Sequence, residues 1–169
     1  MAQVILITGG QRSGKSSYAQ KLALQMSDNP IYMATSRIWD EEHQERIKRH
    51  QADRGAEWTN IEEDKKLSKH PIAGRVVLID CVTLWLTNYF FDNDSNIDLS
   101  LQEAKNEFNK LLQQEATFIF VSNEIGLGGM PADPIQRKFT DLQGWMNQHI
   151  AQAAVEVYMM VSGIPLKVK

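Results

Sequence analysis

Gly9, Gly10, Gln11, Arg12, Ser13, Gly14, Lys15 and Ser16 form the first stretch of this chain whose residue types and spacing could do chemistry. Two glycines with four residues between them, Gly9 and Gly14, followed by Lys-Ser, match the phosphate-binding loop pattern, provided that a strand precedes it and a helix follows. Gly9 and Gly14 let backbone N–H groups turn inward on phosphates, the start of the next helix adds positive potential, and Lys15 neutralises phosphate oxygens. The loop is expected to hold ATP or GTP, with the Ser16 hydroxyl on magnesium. Asp80 ends the apolar run 75–79, where phosphate-loop enzymes place the acid that holds the metal directly or through water. The competing reading of Asp80 is a cap on the following helix.

A second candidate is His50, which closes the basic run Arg46-Ile47-Lys48-Arg49-His50. Arg46 and Arg54, four residues to either side, would share its face on a helix and could bind a triphosphate while the imidazole attacks phosphorus. The blander reading is a solvated basic face, and His43, His70 and His149 compete for any histidine role. A zinc site joining His43 to His50 is disfavoured, because the intervening helix would separate them by about 10 Å. Glu62 and Glu63 could meet a guanine edge or a ribose, or simply face solvent.

These residues need elements to position them. Residues 4–8 are a β-branched run before the glycine loop, and 16–26 carries apolar residues at helical spacing. Strands are predicted over 31–35, 75–80 and 117–122, with terminal strands over 155–162 and 166–168. Helices are predicted over 40–54, where Glu42/Arg46 and Glu45/Arg49 sit four apart, over 83–91, over 100–114 and over 133–154. The helix at 100–114 is expected to open on Ser100 with Glu103 as capping-box partner. Residues 92–98 are read as a polar loop, and Gly126, Gly128, Gly129 and Pro131 as a flexible one. Strands alternating with helices predict an α/β fold: one P-loop NTPase domain of RecA-like type over residues 1–169, with a mostly parallel central sheet covered by helices on both faces.

Composition agrees. With 169 residues, 43% hydrophobic and 23% charged, the chain suits one globular core and is not disordered, collagen-like or disulfide-built. A net charge of -3 argues against a nucleic-acid partner. The single cysteine, Cys81, excludes an intramolecular disulfide, no signal-peptide pattern opens the chain, and no apolar run reaches the ~20 residues of a membrane span. A cytoplasmic location is expected.

The blocks TGGQRSGKS, IYMATSRIWDEE, RIKRHQADRGAEW, LIDCVTLWLTN, VSNEIGLGGMP and VSGIPLKVK, in this order over nearly the whole chain, resemble the bifunctional adenosylcobinamide kinase/adenosylcobinamide-phosphate guanylyltransferase family of cobalamin biosynthesis. The resemblance implies phosphorylation of the corrinoid's aminopropanol hydroxyl, then transfer of GMP from GTP onto that phosphate, with release of pyrophosphate. It implies that GMP travels on a histidine matching His50, and that residues 9–16, Thr35, Ser36, Arg37, Gln51, Ala52, Asp53, Arg54, Glu62 and Asp80 form the nucleotide site. It also implies a homotrimer, to which Trp39 and Trp85 could contribute unless they pack in the core. Asn123 and Glu124 lie at a strand end where α/β proteins bind ligands, and no role is assigned to them. A plain P-loop small-molecule kinase, with His50 a bystander, is the nearest competing reading. A nucleic-acid-binding module using the basic stretch is disfavoured by net acidity and by the few aromatics there.

Overall fold

The computed structural model describes residues 1–37 and 55–169. The helix expected over 40–54, with His43, His50 and the basic run, lies outside the described residues, as does Trp39.

Among the described residues the elements are β1 (Gln3–Gly9), α1 (Lys15–Met26), β2 (Ile31–Ala34), β3 (Thr59–Glu62), β4 (Val76–Ile79), α2 (Val82–Asp92), α3 (Ile97–Leu111), β5 (Thr117–Val121), α4 (Pro134–Ala153), β6 (Glu156–Val161) and β7 (Ile164–Lys167). The strands form one sheet in the order β3-β2-β4-β5-β1-β6-β7. Every neighbouring pair is parallel except the terminal β6–β7 hairpin. This is the mostly parallel α/β class expected.

The central strands are continuous apolar runs because both faces of the sheet are covered. Alternation sorts their side chains. Val4, Leu6, Val77, Ile79, Phe118 and Phe120 pack on one face with Trp85, Phe108, Leu142 and Met146 from α2, α3 and α4. Ile5, Ile7, Leu78, Ile119 and Val121 pack on the other face with Ala19 and Ala23 from α1. Each large side chain buried in this way contributes about 1.5–3 kcal/mol.

Three expectations need correction: the start of the third helix, its capping box and the glycine loop. The third helix opens at Ile97, where the Asn96 side chain accepts from Leu99 N. Ser100 lies fully buried inside that helix, its Oγ donating to the Asn96 carbonyl at 2.7 Å, while Glu103 accepts from Asn93 Nδ2. Asn is as good an N-cap as Ser, and the earlier start also buries Ser100 with a partner for its hydroxyl. Of the two readings of Trp85 the core one holds: the ring is fully buried, and its Nε1 donates to the Lys65 carbonyl. The glycine loop contains a short 3-10 turn, Ile125–Gly128. The sequence reading also missed β3, a polar edge strand of four residues whose pairing with β2, not its own composition, defines it.

Candidate active site

Parallel strands deliver their C-terminal ends to one edge of the sheet, and the chemistry-bearing residues gather there. β1 ends in Gly9, the loop follows, and α1 begins at Lys15. Gly9 has φ 147, and a Cβ there would stand 2.9 Å from the Met160 carbonyl oxygen, so the loop lies flush on β6. Gly14 takes the left-handed conformation at φ 93 as the N-cap of α1. A Cβ on Gly14 would stand 3.1 Å from Gly163 Cα, and Gly163 N donates to Ser13 O at 2.9 Å. The turn of the C-terminal hairpin is thus a packing wall of the phosphate loop, a relation between segments at opposite ends of the chain that has no local sequence signal.

Lys15 is buried, and its Nζ donates to the Gly10 carbonyl at 2.5 Å. Burial lowers its pKa, partly opposed by the nearby Cys81 thiol. Ser16 is exposed in the first turn of α1. Gln11 and Arg12 are exposed, Arg12 at a positive φ of 57.

Asp80 follows β4. Its Oδ1 accepts from Thr35 N at 2.9 Å, and the Thr35 hydroxyl lies 2.8 Å from both Oδ1 and the Cys81 carbonyl, which share its proton. Asp80 is not the cap of α2: that position is Cys81, without a side-chain cap bond. The oxygen donors of Ser16 and Asp80 suit magnesium, which takes one or two protein oxygens and fills its shell with water and phosphate. Among the described residues no group of three or more His, Cys, Asp or Glu is placed to hold a metal ion.

Between β1 and β4 in the sheet runs β5, and the segment Ser122-Asn123-Glu124 continues it past the edge. Glu124 N donates to Gly9 O at 3.1 Å, while Asn123 Nδ2 donates to Thr83 Oγ1 at 2.9 Å in the first turn of α2. From α4 below, Gln143 donates to Ser122 Oγ, Ser122 Oγ donates to Asn147 Oδ1, and Asn147 Nδ2 donates to Asn123 O. Burial pushes the Glu124 carboxyl above its ordinary value, partly offset by hydrogen bonds from Thr8 and Asn147.

The other predicted site residues sit further along the same edge. Thr35 is fully buried beside Asp80, and Ser36 follows it. Arg37 donates to Asp64 through Nε at 2.9 Å and to both oxygens of Asp92 at 2.8 and 2.9 Å. Glu62 is exposed at the end of β3. Glu63 is buried and internally occupied: it accepts from Lys65 N, Lys66 N, Lys69 Nζ and His70 Nε2. Of the competing histidines, His70 is this partner of Glu63, and His149 packs edge-on to the Phe108 ring. His50, Gln51, Ala52, Asp53 and Arg54 lie outside the described residues.

Comparison with known proteins converges on one family. The family model for cobinamide kinase / cobinamide phosphate guanyltransferase matches residues 5–168. The bifunctional adenosylcobalamin biosynthesis protein CobP of Pseudomonas aeruginosa is 39% identical over 168 residues, 97% of this chain and 96% of that protein. The corresponding CobU of Escherichia coli K12 is 36% identical over 181 residues, 98% of this chain and 99% of that one. Among solved structures, the flagellar accessory protein FlaH from Methanocaldococcus jannaschii superposes with a TM-score of 0.46 at 14% identity, covering 99% of this chain and 78% of that one.

Proposed function

Because this chain belongs to the cobinamide kinase / cobinamide phosphate guanyltransferase family and is therefore a transferase, we propose that it carries out both reactions on adenosylcobinamide, with His50 as the carrier of GMP. In the first, the aminopropanol hydroxyl takes the γ-phosphoryl group of ATP or GTP. In the second, a His50 ring nitrogen attacks the α-phosphorus of GTP, an N–P bond forms, the bond to the β-phosphate oxygen breaks and pyrophosphate leaves. The corrinoid phosphate then attacks the same phosphorus, the N–P bond breaks, and adenosylcobinamide-GDP is released. Splitting one displacement into two keeps the nucleotide activated between them.

The observation that carries this reading is the phosphate loop 9–16, with Lys15 buried at its base and the Asp80 carboxylate aimed by Thr35 two strands away. Ser16 and Asp80 would hold magnesium, which neutralises charge on the phosphates when bound. Lys15 orients and neutralises the same oxygens from the protein side. Thr35, Ser36, Arg37, Gln51, Ala52, Asp53, Arg54 and Glu62 complete the nucleotide site in this proposal. An acceptor as large as a corrinoid needs apolar surface as well. A groove of about 390 Å³ lined by Phe90, Phe91, Ile125, Ile135 and Phe139 begins one residue past Glu124. No helix of the described residues is long and apolar enough to cross a membrane; a cytoplasmic location is part of this proposal. The homotrimer belongs to the same proposal and is checked by the mass in solution.

The test is to incubate the protein with magnesium and GTP labelled at the α-phosphate, alongside His50→Ala, and then denature. Acid-labile, alkali-stable label on the wild type and none on the variant is the expected result. Wild-type protein that binds GTP yet stays unlabelled would reduce the reading to a kinase without a covalent intermediate.

A further inference from the structure

Glu124 differs from Glu63 and Asp64, two other carboxylates withdrawn from solvent at this edge of the sheet. Glu63 and Asp64 each face a lysine or arginine, whereas Glu124 forms no ion pair among the described residues. Glu107, also buried without a salt bridge among them, accepts from the backbone N of Ser68 at 2.7 Å. The recorded partners of Glu124 are neutral: the Thr8 hydroxyl and the Asn147 amide, whose Nδ2 lies 3.5 Å from Oε1. A half-buried carboxylate without a cation costs stability, and a fold keeps such a group where its chemistry is used.

Its place is defined from three sides. The backbone bond from Glu124 N to Gly9 O at 3.1 Å pins it to the first residue of the phosphate loop. Its neighbour Asn123 is tied to Thr83, three residues beyond the proposed metal acid Asp80. The buried Ser122, Gln143 and Asn147 side chains hold the strand extension from below without neutralising it. Because β5 lies between β1 and β4, Glu124 emerges between the loop that would hold the triphosphate and the acid that would hold its metal.

We propose that Glu124 is the proton acceptor of the phosphorylation step, resting on the kinase half of the function proposed above. As the acceptor hydroxyl oxygen forms its bond to the γ-phosphorus, the bond from that phosphorus to the β–γ bridging oxygen breaks, and the nucleoside diphosphate leaves. The hydroxyl proton passes to the Glu124 carboxylate, which later returns it to solvent. Burial makes this carboxylate a better base than a surface glutamate, the direction general-base catalysis near neutral pH requires. In guanylyl transfer the attacking groups are an imidazole and a phosphate, neither of which must lose a proton to a carboxylate. Glu124 therefore serves one half-reaction and not the other.

Glu124→Gln tests this on the full chain, since the amide keeps the size and cannot take the proton. Phosphorylation of adenosylcobinamide, guanylyl transfer to supplied adenosylcobinamide phosphate, and nucleotide Kd are measured separately. The expected result is a fall of about 100-fold or more in kcat for phosphorylation, with guanylyl transfer and nucleotide Kd within about threefold of wild type. Phosphorylation that stays within about threefold of wild type overturns the assignment. So does an equal loss of both half-reactions, which would mark Glu124 as structural. A wild type that phosphorylates but does not transfer GMP refutes the guanylyl reading alone, and phosphorylation against Kd still decides Glu124. A wild type that fails to phosphorylate overturns the kinase reading and this inference together.

Discussion

Two polar clusters occupy the same edge of the sheet and are built on opposite principles. Beyond β2 and β3, Arg37, Asp64, Lys65 and Asp92 compensate one another, and Glu63 is matched by Lys69 and His70. Beyond β1 and β5, the Lys15 ammonium rests on a carbonyl and the Glu124 carboxylate on neutral groups. In the first cluster hydrogen bonds and opposite charges stabilise the ionised forms and lock the chain. In the second, burial disfavours the ionised forms of both groups, lowering the Lys15 pKa and raising that of Glu124. Compensated charge holds the edge together; uncompensated charge at the loop is available to a substrate.

The strongest test of that contrast is Lys15→Met. Loss of the loop ammonium should lower kcat for both half-reactions by about 10²–10³-fold, while the thermal midpoint stays level or rises, because a desolvated cation is replaced by an apolar chain of similar shape. A variant that loses activity because it unfolds would contradict the contrast. Circular dichroism melting beside the two half-assays reads both quantities.

Glu63→Gln should behave in the opposite way. Burial pushes the Glu63 carboxyl up, but the hydrogen bonds from Lys69, the Lys66 and Lys65 backbone amides and His70 outweigh it and hold the pKa at about 2. A carboxyl lowered on folding contributes stability that is complete above its unfolded pKa near 4.5 and is lost as pH falls through about 2. The substitution should cost about 2 kcal/mol at neutral pH and flatten the acid limb of a stability profile between those two values. Urea titrations across that range would show it, with phosphorylation little changed.

Asp92→Asn should be smallest. Asp92 is held well below the usual carboxylate range by hydrogen bonds from Arg37 and Lys65, but it sits at the surface, where solvent screens the pairs. About 0.5 kcal/mol is expected, shrinking as salt rises. The nucleotide-site reading of Arg37 adds that freeing its guanidinium from Asp92 changes nucleotide affinity, which the nucleotide Kd of this variant reads.

What a reader of the sequence could see followed the reach of each signal. The strand–loop–helix at 3–26 was legible because the loop's function is local: two glycines, a lysine and a serine act through consecutive backbone atoms. The apolar strands β4 and β5 were legible because burial on both faces leaves no polar positions. Strand β3, the buried Trp85 and the start of α3 were not, since each depends on a neighbour distant in sequence or on a choice between two competent caps. Among the site residues, Lys15 and Asp80 could be named from position, whereas the Thr35 pair of bonds that aims Asp80 required β2 to lie beside β4.

Composition, alternation and the motif blocks alone therefore determined the α/β class, the phosphate loop and the family, because these are properties of short segments and their order. Tertiary structure decided the rest. It closed the loop with the turn at Gly163, paired Arg37 with Asp64 and Asp92, and set Glu124 beside Gly9 with no ion pair among the described residues. A charge acquires its pKa and its partners from whatever the sheet order brings within a few ångströms, and strand order is not written in any one segment.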